Sequence, residues 1–337
     1  MVFLIYKVSL IVLILLLSLF IAMYATLMER KFAGFIQDRY GPDRAGIWGL
    51  LQPVCDGGKL FFKEEFFPNS SDKFLFILGP SLSMLVALLT SAVIPWGGTL
   101  TVGGQGFALQ VAGSSVDILY VFAVVSMGVY GVMIGGWASN NKYALMGAVR
   151  ASSQMISYEL AMGLSIASVV LMTGSLSFSE IVAYQQHSCW NVLVQPLAFL
   201  IFFICALAET NRSPFDLPEC EAELIGGYHT EYSGMKLGFY LFSEYINMFV
   251  SSAIISTLFF GGYHIPFISN LGLSANVITL LGTAFLFAKI FFFVMLFMWV
   301  RWTLPRFRYD QLMKLGWKVL LPLALINLII TGIVILL

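Results

Sequence analysis

A polytopic α-helical membrane protein is the fold class the sequence predicts, and three observations predict it. Hydrophobic residues fill 59% of the 337 positions and charged residues 11%, where soluble domains carry about 25% charge. The apolar residues fall in eight continuous runs, each close to the ~20 residues that cross ~30 Å of hydrocarbon. The basic residues are confined to alternate connections between those runs. A β-barrel would instead show alternating segments of ~10 residues. With 18 Lys+Arg against 18 Asp+Glu, no basic excess is left for nucleic acid.

The runs are about 2–27, 74–94, 116–136, 155–173, 192–208, 237–260, 277–300 and 319–337. The first is uncharged over 8–27 and ends in Met28-Glu29-Arg30-Lys31, a stop-transfer flank and not a signal-peptide cleavage site. Connection 28–73 holds seven Lys/Arg, 137–154 two, 209–236 two and 301–318 five, which is 16 of the 18. Connections 95–115, 174–191 and 261–276 hold none. Positive charge marks the cytoplasmic side, so those four connections are expected inside and both termini outside. All seven Trp fall near the predicted boundaries, where amphipathic rings settle. The chain shows no internal repeat, which argues against an inverted-repeat transporter.

The connections expected on the cytoplasmic side carry the unusual residues. In 28–73, Gln52, Asp56, Lys59 and Lys63 are spaced as one polar stripe of a helix, with Leu50, Val54, Gly57 and Phe61 on another face. Pro53 suits a first turn. The segment is too short and charged to span, so an interfacial amphipathic helix over about 52–65 is expected; periodicity alone makes it a surface anchor. Connection 209–236 places Glu209, Asp216, Glu219, Glu221, Glu223 and Glu231 against only Arg212 and Lys236. Asp216 and Glu219 fit a capping box, which accounts for two acids and not six. Asp117, Glu159, Glu244 and Lys289 fall at membrane depth or at a span's edge. Embedded charge is costly, so these groups should face the bundle interior, either as a structural ion pair of Lys289 with a Glu or as an ion path. Neither the four Cys nor the three His show metal or haem spacing. Any redox cofactor is therefore expected on another chain.

In these same connections the sequence resembles a known family. The stretches MERKFAGFIQDRYGPDRAG (28–46), GLLQPVCDGGKLFFKEEF (49–66), GVYGVMIGGWASNNKYALMGAVRASSQMISYEL (128–160), ETNRSPFDLPECEAELIGGYHTEYSGMK (209–236) and RWTLPRFRYDQLMKLGWK (301–318) carry the likeness. They closely resemble one family of membrane subunits of proton-translocating NADH:quinone oxidoreductase, respiratory complex I, whose mitochondrial member is NADH dehydrogenase subunit 1. Cys220 departs from the small or acidic residue expected there. The resemblance implies eight membrane helices and a membrane foot for the quinone pocket, with the isoprenoid quinone entering between helices. It implies a quinone site from Glu29, Arg30, Asp56, Lys59, Arg212, Asp216 and Tyr228. It implies a proton relay through Glu159, Glu209, Glu219, Glu221, Glu223 and Glu244. FMN and the iron–sulfur clusters would sit on partner subunits and no cofactor on this chain. The partners would be peripheral-arm subunits on the cytoplasmic side, with small membrane subunits and antiporter-like subunits alongside. The location would be the cell inner membrane. The alternatives are the membrane anchor of an energy-converting hydrogenase or formate hydrogenlyase and, from another class, a secondary transporter.

Overall fold

The computed structural model of the chain describes residues 2–102, 105–217, 224–266 and 274–337. Its helices are α1 (Val2–Ile36), α2 (Gln52–Phe62), α3 (Lys73–Thr90), α4 (Asp117–Ala138), α5 (Lys142–Thr173), α6 (Phe178–His187), α7 (Pro196–Glu209), α8 (Gly234–Phe259), α9 (Ala275–Thr303) and α10 (Tyr309–Leu336). A hairpin of β1 (Thr99–Val102) and β2 (Gln105–Ala108) pairs Thr99 with Ala108 and Leu100 with Phe107. Among the described residues, seven helices are long and apolar enough to cross a membrane. The expected run 192–208 is helical in two pieces, a turn at Asn191–Val194 and the 14-residue α7. Gln195 breaks them, ahead of a proline that cannot supply an N–H.

Several helices run further than their apolar stretches. The first is expected to end near residue 27, yet α1 continues to Ile36. Glu29 and Arg30 therefore stand on a helix and not in a loop. The continuation is local: nothing in 28–36 is a strong helix breaker except Gly34. Asp38 at φ 55° then turns the chain, and the Arg39 N–H returns to the Gly34 carbonyl at 2.9 Å. The connection 137–154 shrinks in the same way, because the Asn141 side chain caps α5 by accepting from the Tyr143 N–H at 2.9 Å. The connection 301–318 shrinks to 304–308, since α10 is helical from Tyr309. Pro322 inside α10 has no N–H for residue 318, and the turn Leu315–Leu320 just before it is a π-helix.

α8 is the central pillar: 78% of its most apolar window is buried, against 22–50% in the other spanning helices. It packs on α1, α3 and α9, while α5 packs on α4, α7 and α10. Helices α3 and α4 meet through glycines. A methyl on Gly79 would lie 2.8 Å from the Gly135 Cα, and one on Gly131 2.4 Å from the Ser83 Oγ. Small residues allow backbones this close an approach, a major source of helix association in lipid.

Two of the embedded ions organise loops at the end of the bundle where α8 finishes and α4 begins. Asp117 is fully buried and accepts from the Ser114 N–H at 2.8 Å, the Phe178 N–H at 3.2 Å and the Ser177 hydroxyl at 3.3 Å. Lys289 does not form the expected ion pair with a glutamate. Its ammonium donates to the carbonyls of Phe260 and Gly262, each at 2.7 Å, and of His264 at 3.4 Å. The Phe285 ring lies 4.3 Å from it. The carbonyls at the end of α8 carry the negative end of its dipole, and they serve where a carboxylate was expected.

Candidate functional site

Glu29 of α1 is the hub of a buried ionic network. Its side chain is 8% exposed and takes the Arg212 guanidinium at 3.4 Å and the Tyr245 hydroxyl at 2.9 Å. Arg301, near the C-terminal end of α9, pairs with its other oxygen. The second Arg212 nitrogen reaches Glu244 of α8 at 3.4 Å, and the Tyr228 hydroxyl donates to Glu244 at 3.1 Å. The Arg212 guanidinium also lies 4.1 Å from the Tyr245 ring centre, a cation–π contact. Two carboxylates face two guanidinium groups, so the cluster is neutral, as buried charge requires.

Local structure brings these groups together. Gln154 of α5 is fully buried and donates to the carbonyls of Ala208 and Phe215, each at 2.8 Å. That clamps the segment carrying Arg212 against the bundle. The Phe307 N–H bonds the Pro214 carbonyl at 3.1 Å, and Arg306 pairs with Asp216 at 2.6 Å. Tyr228 rides on a chain segment that presses on α5, where a methyl on Gly147 would stand 2.7 Å from the Tyr228 nitrogen.

Beside the network lies a cavity of about 250 Å³ between α1, α2 and α8. Met23, Pro53, Leu60, Leu241 and Phe242 give it apolar walls, and Arg30, Asp56 and Tyr245 supply the polar groups. Arg30 and Asp56 pair at 2.7 Å, and Gln52 holds the other Asp56 oxygen at 3.0 Å. Leu60 packs 3.4 Å from where a side chain on Gly238 would begin. The expected stripe of α2 therefore divides: Asp56 turns inward with Pro53 and Leu60, while Lys59 is exposed. Tyr245 belongs to both places, since it lines the cavity and donates to Glu29.

Further into the bundle, a cavity of about 30 Å³ touches Glu244, Glu209 and Tyr228. Glu159 accepts from the Ser126 hydroxyl. Glu219, Glu221 and Glu223 lie outside the described residues. The structure thus gathers Glu29, Arg212, Tyr228 and Glu244 in one network, Arg30 and Asp56 at the cavity, and Glu209 and Glu159 close by. Asp216 is tied to Arg306 instead, and Lys59 faces outward.

The profile of the NADH dehydrogenase family matches residues 8–332. The chain belongs to the NADH dehydrogenase family. It is 64% identical over 335 residues to the NADH-quinone oxidoreductase H-type subunit 1 of Cytophaga hutchinsonii, covering 99% of this chain and 98% of that one. It is 60% identical to the H-type subunit of Flavobacterium johnsoniae, covering 99% and 96%. Against the H-type subunit 1 of Geobacter sulfurreducens it is 48% identical over 98% and 96%.

Three site residues of this NADH dehydrogenase family member escape the sequence reading: Tyr245, Arg301 and Arg306. Arg301 enters that reading only as loop charge, although its place at the end of an apolar run is where a buried carboxylate would find a partner. Tyr245 directly follows Glu244 and offers no separate signal.

Proposed function

We propose that this chain is the quinone-access and proton-relay subunit of an NADH:quinone oxidoreductase, in the inner membrane with both termini outside. Eight crossings follow if α7, extended by the Asn191–Val194 turn, completes the fifth. The α2 helix then lies along the interface, with the exposed Val54, Phe61 and Phe62 toward lipid.

The observation that carries the reading is Tyr245. One side chain connects an apolar cavity, fit for part of an isoprenoid chain, with a buried carboxylate–guanidinium network that continues to Glu244 and Glu209. Quinone reduction takes two electrons and two protons. The electrons come from cofactors on partner subunits; this chain provides the apolar passage and the charges that respond. A negative charge appearing at the quinone favours protonation of nearby carboxylates and shifts Arg212 between Glu29 and Glu244. Coupling is then a rearrangement of one neutral cluster, which needs little net charge movement in a low dielectric.

Glu244→Gln keeps size and hydrogen bonding but carries no proton. In assembled complex in proteoliposomes it should lower the proton-to-electron ratio, with NADH oxidation by an artificial acceptor near wild type. A wild-type ratio and quinone reductase rate would reduce the network to a structural one.

A further inference from the structure

We propose that the groove between α1 and α3 is a binding site for an anionic phospholipid, with Lys7 on the phosphate and one acyl chain lying along the groove. This goes beyond the quinone and relay reading and takes from it only the orientation, which makes the lipid one of the outer leaflet.

The groove follows from how three helices pack. α1 packs on α8 and α9, and α3 packs on α4 and α8. Both lean on α8, and a cavity of about 530 Å³ is left between them. Ligand sites measure about 300–1,000 Å³. Ile11, Ile14 and Leu15 line it from α1, Leu85 and Leu88 from α3, and Phe239 from α8. Two lining hydroxyls, Ser81 and Ser91, already donate to the carbonyls of Ile77 and Leu88, at 2.8 and 2.7 Å. What remains on the wall is hydrocarbon. That suits an alkyl chain and gives a quinone headgroup no donor to orient it.

Positive charge stands at one end. Lys7 precedes Ile11 by one turn, on the face of α1 that carries Ile11 and Ile14. Its ammonium donates to the carbonyls of Gln110 and Val111 at 2.7 and 2.8 Å, and Val111 itself lines the groove. These carbonyls fix the ammonium at the mouth and, being neutral, leave its charge in place. The connection beside it, 95–115, contains no residue of either charge. An anion at the head of an apolar chain is the complement of such a site.

Length and wall chemistry agree. α3 lines the groove from Ser81 to Leu89, which is ~12 Å at 1.5 Å per residue. One leaflet of a ~30 Å hydrocarbon core is ~15 Å deep. A helix of a partner subunit fits less well. It is about 10–12 Å across, and helices associate in lipid through small residues that let backbones approach. The groove presents mostly Ile, Leu, Met and Phe. At its other end α1 carries Glu29 and Arg30, so a lipid wedged here steadies the helix that presents them.

The test uses assembled complex in vesicles of equal parts phosphatidylglycerol and phosphatidylcholine. Leu85, which is 51% exposed, is replaced by the photo-crosslinking residue p-benzoylphenylalanine, and the adduct is identified by mass. Phosphatidylglycerol should dominate the adducts although the vesicle offers both lipids equally. Lys7→Gln in the same chain keeps a donor for the carbonyls but no charge, and should lose the excess; Lys7→Arg should keep it. If Lys7→Gln fails to assemble, the lipid ratio at Leu85 in the chain with native Lys7 decides. Equal adducts of the two lipids there mean passing bulk lipid and overturn the proposal. An adduct to another subunit, an adduct to quinone, or an excess that survives Lys7→Gln overturns it as well. None of these outcomes touches the proton-to-electron ratio of Glu244→Gln, on which the relay reading stands or falls.

Discussion

Arg212 serves two carboxylates at once, each at 3.4 Å, and its side chain is only 7% exposed. Removing it leaves Glu29 with Arg301 but takes a guanidinium partner from Glu244. Breaking a buried pair costs about 3–5 kcal/mol. Arg212→Ala should therefore cut the amount of assembled complex, measured by native gel of solubilised membranes. Arg212→Lys keeps the charge but has no planar fork to span both partners; it should assemble better than Arg212→Ala and still lower quinone reductase activity. The Arg30–Asp56 pair behaves differently, because Arg30 is 52% exposed. Exposed pairs are worth about 0–1 kcal/mol, so Arg30→Ala should leave assembly unchanged and raise the apparent KM for short-chain quinone.

Tyr232 gives a pH dependence of calculable sign. Burial pushes its phenol from the ordinary 10.0 up to about 12, and its hydroxyl donates to the Gly135 carbonyl at 3.2 Å. The raised value means the folded state holds this proton longer than the unfolded chain does. Its contribution is complete below pH 10 and is lost as pH climbs from 10 toward 12. Thermal unfolding of the complex should shift to lower temperature over that window, and Tyr232→Phe should flatten the slope.

Among the elements, α4 leaves little room for added volume where Tyr240 of α8 reaches it. A methyl on Gly135 would sit 1.9 Å from the Tyr240 hydroxyl. Gly135→Ala forces this hydroxyl off the Gly131 carbonyl that it bonds at 3.1 Å. We expect loss of assembly in Gly135→Ala and near-normal assembly in Gly57→Ala, where a methyl meets nothing within 4 Å. The Gly131-x-x-x-Gly135 spacing stands in the sequence and is a readable sign of such contact.

Apolar run length makes the crossings legible because lipid imposes it. Helix ends are not legible, since an α-helix continues into water until a cap or a left-handed residue stops it, as Asp38 does for α1. The α2 helix is visible in its stripe, yet the inward turn of Asp56 and the outward turn of Lys59 depend on where α1 and α8 lie. Lys289 suggests half of an ion pair in the sequence because hydropathy counts side chains and overlooks backbone carbonyls. The Glu29–Arg301 contact joins the first long helix to α9, and no local periodicity reports it.

At the scale of the molecule, orientation is open to a direct check through native cysteines. Cys55 and Cys189 are exposed and Cys205 is buried. With the basic connections inside, Cys189 faces out and Cys55 faces in. An impermeant maleimide applied to intact cells should label the chain at Cys189, and Cys189→Ser should abolish that label. Labelling of Cys55 from outside would invert the topology.

The neutral cluster also constrains how the protein is made. Glu29 leaves the ribosome in the first helix, Arg212 follows α7, Glu244 arrives with α8, and Arg301 closes α9. Until the last of these is synthesised, Glu29 has no full set of partners and an early helix carries an uncompensated acid near the lipid boundary. Membrane insertion is therefore sequential while charge closure is late. A nascent chain that stalls before α9 holds two buried carboxylates, Glu29 and Glu244, with Arg212 to share between them and Arg301 still missing, and presents that imbalance to whatever quality-control machinery patrols the bilayer.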